Sequence, residues 1–268
     1  MIARLLFLPL VLAAFAAPAS AQEALRDLCT ARPSLGTSAC IVDQGHALLE
    51  FGALDWQRTS DGGEREDVLQ TGNVLLRYGI ADHAEVQLGW TAFGRARLRD
   101  AEAGTRERRT GAGDVTLALR RNLRNPDGSG TSYGVQGVVT LPTGRTPIGA
   151  GTWGAGAIVP VSFELRDGLT LVLNPEGDAE PDEDGNGRHL RYGNVAGLDI
   201  DLSDAVTTTL EISAFRDRDP EQHVTELLAA LSATWATSRN LQFDAGAIAG
   251  LNHHSPDVRL LTGVSARF

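Results

Sequence analysis

The feature that most constrains this chain is charge placed at every second residue inside otherwise apolar segments. Along 205–214, Val206, Thr208, Leu210 and Ile212 alternate with Thr207, Thr209, Glu211 and Ser213. Along 84–94, Val86, Leu88 and Trp90 alternate with Glu85, Gln87 and Gly89, and 241–251 and 258–268 repeat the plan around Asp244, Arg259 and Arg267. A period of two is that of a β-strand, whose successive side chains point to opposite faces. Charges on every second position cannot all be packed into a dry core. They can line a wet lumen while the alternate residues face lipid.

Segments of this kind fall at 46–57, 67–78, 84–95, 112–123, 131–141, 153–165, 169–179, 188–201, 205–216, 223–235, 240–251 and 257–268, with Gly, Asp, Asn, Pro and Ser between them. They exceed the usual soluble strand of about 5–6 residues and match the roughly 9–11 residues of a tilted membrane strand. The fold class is therefore all-β: an antiparallel transmembrane β-barrel of twelve strands. A soluble β-sandwich is the rival, but it would have to bury Glu85, Asp114, Glu164, Glu176, Glu211, Glu226 and Asp244. Short turns follow the even strands. Longer polar loops at 96–111, 142–152 and 180–187 follow odd ones. Bacterial barrels keep short turns in the periplasm, so both termini belong there.

Three parts follow. Residues 1–21 read as a cleaved signal peptide, with basic Arg4, an apolar run over 5–17 and the small-residue site Ala19-Ser20-Ala21. Residues 22–45 form a periplasmic N-terminal segment in which Cys29 and Cys40 pair as a disulfide, as an even pair does in an oxidising compartment. Residues 46–268 form the barrel, located in a bacterial outer membrane. The formal charge is −10 and all 24 basic residues are Arg. An acidic chain without a basic stripe excludes nucleic acid as the expected partner, and no motif requires a cofactor. The expected partners are outer-membrane lipids and lipopolysaccharide, the barrel-insertion machinery and a small-molecule solute. The last strand ends on Phe268 with Ala266, Val264, Thr262 and Leu260 alternating before it, which resembles the C-terminal insertion signal of outer-membrane barrels.

Several stretches carry a wider resemblance: Cys29-Thr30-Ala31-Arg32-Pro33-Ser34 with Cys40, Leu76-Arg77-Tyr78-Gly79-Ile80, Gly111-Ala112-Gly113-Asp114-Val115, Leu141-Pro142-Thr143-Gly144 and Gly263–Phe268. In these the chain resembles the family of outer-membrane transporters named after the meta-pathway of phenol degradation. The resemblance implies a twelve-stranded barrel that passes small, often apolar or aromatic, compounds.

The inward register predicts a pore lined by Arg77, Glu85, Arg95, Asp114, Arg120, Glu164, Asn174, Glu176, Arg191, Glu211, Glu226, Asp244 and Arg259, with Arg267 beside them. Bore and lining charge set the selectivity of such a pore. Equally, Arg–carboxylate ladders can shut a barrel of this width, which leaves a non-conducting scaffold plugged by 22–45 as the alternative function. Asp182, Asp184 and Asn186 before Gly187 follow the first half of a calcium loop, but Gly193 stands where the bidentate Glu belongs; a solvated acidic loop is the plainer reading. Gly111-x-Gly113 opens a strand and not a helix, so it is no dinucleotide fingerprint. The segment Leu141–Arg145 reads as turn architecture, or else as a constriction loop bringing Arg145 to the pore. His253 and Ser255 have the spacing of an outer-membrane lipid hydrolase, but Pro256 follows at once and no orienting partner is evident. The chain is read as no enzyme, with no catalytic residues.

Overall fold

The computed structural model describes residues 25–182, 184 and 187–268. The signal peptide expected over 1–21, and Asn186, lie outside them. The strands are β1 (Ala47–Asp61), β2 (Glu64–Ala81), β3 (Ala84–Asp100), β4 (Thr105–Gly111) and β5 (Val115–Arg124). β6 (Thr131–Leu141), β7 (Gly154–Ile158), β8 (Val161–Arg166) and β9 (Leu169–Pro181) follow. β10 (Arg188–Ser203), β11 (Val206–Asp217), β12 (Thr225–Ser238), β13 (Leu241–Gly250) and β14 (Val258–Arg267) complete the chain. All pair antiparallel, each with its neighbour, and β14 pairs β1, closing the sheet. β4 and β5 both pair with β3, and β7 and β8 both lie between β6 and β9. Each couple is one interrupted stave, so the fourteen strands make a twelve-stave barrel. The second interruption falls at Val159–Pro160, where proline has no N–H for the ladder.

The surface is inside out relative to a soluble protein. Trp90, Leu88, Leu119, Ile212, Leu231, Trp235 and Leu260 are exposed on the outer face, while Glu50, Arg77, Glu85, Arg120, Asn174 and Ser265 are almost wholly buried. This is the distribution of a transmembrane barrel and not of a sandwich.

The expected loop 96–111 is instead the continuation of a hairpin. β3 runs to Asp100 and β4 starts at Thr105, in register from Gly94↔Gly111 to Asp100↔Thr105. Its five arginines hide it from a hydrophobic pattern, but cross-strand backbone bonds need no apolar side chain. The turn is tied by Asp100, which accepts from the N–H groups of Glu102 and Ala103.

Candidate functional site: the lumen and the segment that enters it

Residues 25–45 run as irregular chain inside the end of the barrel where β1 begins and β14 finishes. Arg26 donates to the Asp82 carbonyl in the β2–β3 turn, Ile41 N–H to Pro126 in the β5–β6 turn, and Arg267 to the Arg26 carbonyl. The Cys29–Cys40 disulfide closes a small loop at its centre. Chain without regular structure leaves its own N–H and C=O groups to be satisfied by something else. Here the barrel wall does it. Glu50 accepts from Ala31 and Arg32 N–H at 3.0 and 2.9 Å, Glu85 from Val42 N–H at 2.8 Å, and Asn174 from Thr37 N–H at 3.1 Å. Glu211 accepts from the Ser34 hydroxyl and from Leu35 and Gly36 N–H. Arg120 donates to the carbonyls of Ser38 and Cys40, Asn122 to that of Ala39, and Arg77 to that of Cys29.

The wall groups also pair with one another. Arg77 lies between Glu50 and Glu85 at 3.2 and 2.8 Å, all three side chains without solvent contact. From the segment, Arg32 reaches Asp244 at 3.1 Å. Its guanidinium lies against Gly52 and Gly263, where an added Cβ would come within 2.9 Å of guanidinium nitrogens. Gly52, Gly263 and Asp244 are one cross-strand row, so the two glycines form the seat for Arg32.

Beyond this segment lies a cavity of about 470 Å³, lined by Glu176, Asp178, Glu180 and Arg191 together with Thr140 and Thr152. Arg191 stands 3.6 Å from Asp178 and 3.8 Å from both Glu180 and Glu226, and stacks over Phe215 at 4.0 Å. Nearer the rim, His189 Nδ1 lies 3.0 Å from Asp182 and 3.4 Å from Asp219, and Nε2 lies 3.0 Å from Asp217. Arg259 pairs with Asp55 at 2.8 Å. This half of the lumen is acidic.

The structure thus gathers Arg77, Glu85, Arg120, Asn174, Glu211 and Asp244 around the inserted segment, and Glu176, Arg191, Glu226 and Arg259 in the acidic half. Three expected lining residues lie elsewhere. Arg95 shares a cross-strand row with Trp56 and Leu69 on the outer face. The reason is a register irregularity between Gly52 and Leu54, matched by the jumps from Asn73 to Gln70 on β2 and from Thr91 to Phe93 on β3, which reverses inside and outside along all three strands. Glu164 is exposed at the rim, accepting from Gly130 N–H. Asp114 occupies the gap between β4 and β5 and holds loop 142–152 through the N–H groups of Gly144 and Gly151 at 2.6 and 3.0 Å. Thr143 accepts from Val115 N–H in return, so the Gly-x-Gly-Asp and Leu-Pro-Thr-Gly stretches form one tether. Arg145 is exposed, and Ile148 of that loop lies over Gly94. Glu50, Asp55, Arg32 and Asn122 were not on the expected lining.

For a cation, the described residues offer two sets with ligand atoms within 4.8 Å of one another: Glu180, His189 and Asp217, and Asp182, His189 and Asp219. Asp184 is exposed and belongs to neither. Ser255 is not poised as a nucleophile. It is buried, its hydroxyl exchanges hydrogen bonds with the Leu227 backbone and meets Asn252 Oδ1, and the His253 ring stacks on His254 at 3.9 Å.

A family model described as "Putative MetA-pathway of phenol degradation" matches residues 30–268. The chain belongs to that family. Among solved structures, the "COG4313 outer membrane channel from Pseudomonas putida F1" is 15% identical, with 83% of this chain and 94% of that chain covered and a TM-score of 0.61. The structure described as "KdgM porin" is 10% identical over 80% of this chain and 98% of that one, at a TM-score of 0.49. At 15% identity the likeness to the Pseudomonas putida F1 channel is one of fold. No curated protein matches its sequence.

Proposed function

We propose that this chain is a passive outer-membrane channel for small molecules, closed at its terminus-bearing end by residues 25–45. Export through a cleaved leader at 1–21, insertion guided by Phe268, both termini in the periplasm, and lipid with lipopolysaccharide around the wall belong to the same reading. The observation that carries it is the pairing of an apolar outer face with a charged lumen, whose half beyond the inserted segment holds a cavity of about 470 Å³ among Glu176, Asp178, Glu180 and Arg191. The solved channel from Pseudomonas putida F1 shares the architecture and adds support. An acidic wall of Glu176, Asp178 and Glu180 favours neutral and cationic solutes over anions. Neutral aromatic compounds, which the family's description suggests, fall within that class.

A second reading is a scaffold barrel that does not conduct. The seating of the inserted segment on Glu50, Glu85, Asn174 and Glu211 favours it. Single-channel recording in planar bilayers separates the two. The full chain is expected to give small or intermittent conductance, and deletion of 22–45 a larger, steady one. If neither form passes current or admits small solutes, the channel reading fails and the scaffold stands.

A further inference from the structure

The long hairpins of β1–β4 carry three outward rows just beyond the apolar band. Row by row across β1, β2, β3 and β4 these are Trp56–Leu69–Arg95–Thr110, Arg58–Asp67–Arg97–Arg108 and Ser60–Arg65–Arg99–Arg106. Their outward sense is fixed by Trp56, which pairs with exposed Leu260, and by Phe93, exposed two residues before Arg95. Arg97 thus sits directly opposite Arg108, and Arg99 opposite Arg106. Like charges so placed destabilise a sheet. The three rows hold one carboxylate, Asp67, already engaged by Arg58 and Arg65 at 2.9 Å each.

The opposite face of the same hairpins has the reverse sign. There Thr59–Glu66–Leu98–Glu107 and Asp61–Glu64–Asp100–Thr105 face the lumen side. Seven of the eight arginines on these strands beyond the irregularity point outward; Arg109 points inward, in a row with Val68 and Ala96, and pairs with Glu107 at 2.9 Å. The arginine rows begin level with Trp56 and continue along the strands away from the apolar band, beyond the aromatic level that marks a barrel's membrane boundary.

We infer that this arginine face binds the phosphate groups of outer-leaflet lipid headgroups, the phosphorylated glycolipid of the outer membrane being the ligand of that chemistry. Guanidinium forks grip phosphate bidentately, and an anion between Arg97 and Arg108 turns a repulsive pair into a bridged one. The inference rests on the membrane placement proposed above, since only in a membrane do headgroups reach these rows.

The test uses the full chain refolded into phosphatidylcholine vesicles with and without diphosphoryl lipid A, beside the variant R97Q/R99Q/R106Q/R108Q. Without lipid A the variant should melt higher than the parent, because two like-charge pairs are gone. With lipid A the order should reverse, and lipid A affinity measured in micelles should drop at least about tenfold in the variant and weaken with added salt. Equal lipid A affinity in the two chains overturns the inference. So does protection of the parent by inorganic phosphate alone to the same extent as by lipid A. A chain that inserts into neither vesicle refutes the membrane placement itself; insertion into both with no lipid A dependence refutes only the headgroup site.

Discussion

At the end of the lumen that holds residues 25–45, Arg77 meets Glu50 and Glu85 at 3.2 and 2.8 Å with all three side chains out of solvent. At the far end Arg191 stands 3.6–3.8 Å from Asp178, Glu180 and Glu226 and keeps a fifth of its side chain exposed. The residue types are the same. What differs is the segment 25–45, which threads one end; at the other, loop 142–152 folds over the wall at Gly94 and lines the cavity through Ala150 and Thr152. Where the wall groups must also satisfy backbone N–H and C=O groups, charges are matched, short-range and dry. Around Arg191 they stand apart and carboxylates outnumber arginine, beside a cavity of about 470 Å³. The first arrangement holds a segment in place and the second filters a solute.

The sharpest way to break this contrast is Arg77→Met. It leaves Glu50 and Glu85 buried without their cation and should cost about 3–5 kcal/mol, as removal of one partner from a buried pair does, read by urea unfolding in micelles. A cost no larger than that of Arg191→Met would show that the two ends are energetically alike. Next in size is Cys29→Ser with Cys40→Ser. Opening a loop of sequence separation 11 should cost about 2–3 kcal/mol and, if the segment is the closure, raise channel open probability in bilayers. An unfolding cost with unchanged conductance would separate the staple from the gate. The smallest stability effect is expected for Arg191→Met, below about 1 kcal/mol for a partly exposed pair. Its signature is electrical: the reversal potential in a salt gradient should shift further toward cations, while Glu176→Gln with Asp178→Asn should shift it back. Identical reversal potentials in all three chains would remove the acidic half from any role in selectivity.

Much of the barrel was legible in the sequence because the period of two survives every local detail. All twelve expected segments have a stave, and Arg77, Glu85, Arg120, Asn174, Glu211 and Asp244 face inward as their parity demands. Parity fails only where the strand slips. The irregularity shared by β1, β2 and β3 turned Arg95 outward and brought Asp55 inside with Glu50, although the two stand five residues apart. Nothing in the alternation marks such a point; Gly52 and Gly72 are its only trace. The alternation marks 96–111 as loop because strand recognition leans on apolar residues, whereas the hairpin there rests on backbone pairing between arginines.

The inserted segment shows the same limit from the other side. Its cysteines announced a disulfide, and its position before the first strand left open whether it would plug the lumen or serve a partner outside. Its seat depends on contacts across long sequence separations, such as Arg32 with Asp244 over 212 residues and Ser34 with Glu211 over 177. By itself the sequence determined the alternation, and with it a twelve-stave barrel with a polar interior, because side-chain direction in a strand is a local property of the backbone. Only the tertiary structure decided which charges are dry and which stand in an open lumen, because that depends on which distant segments share the interior.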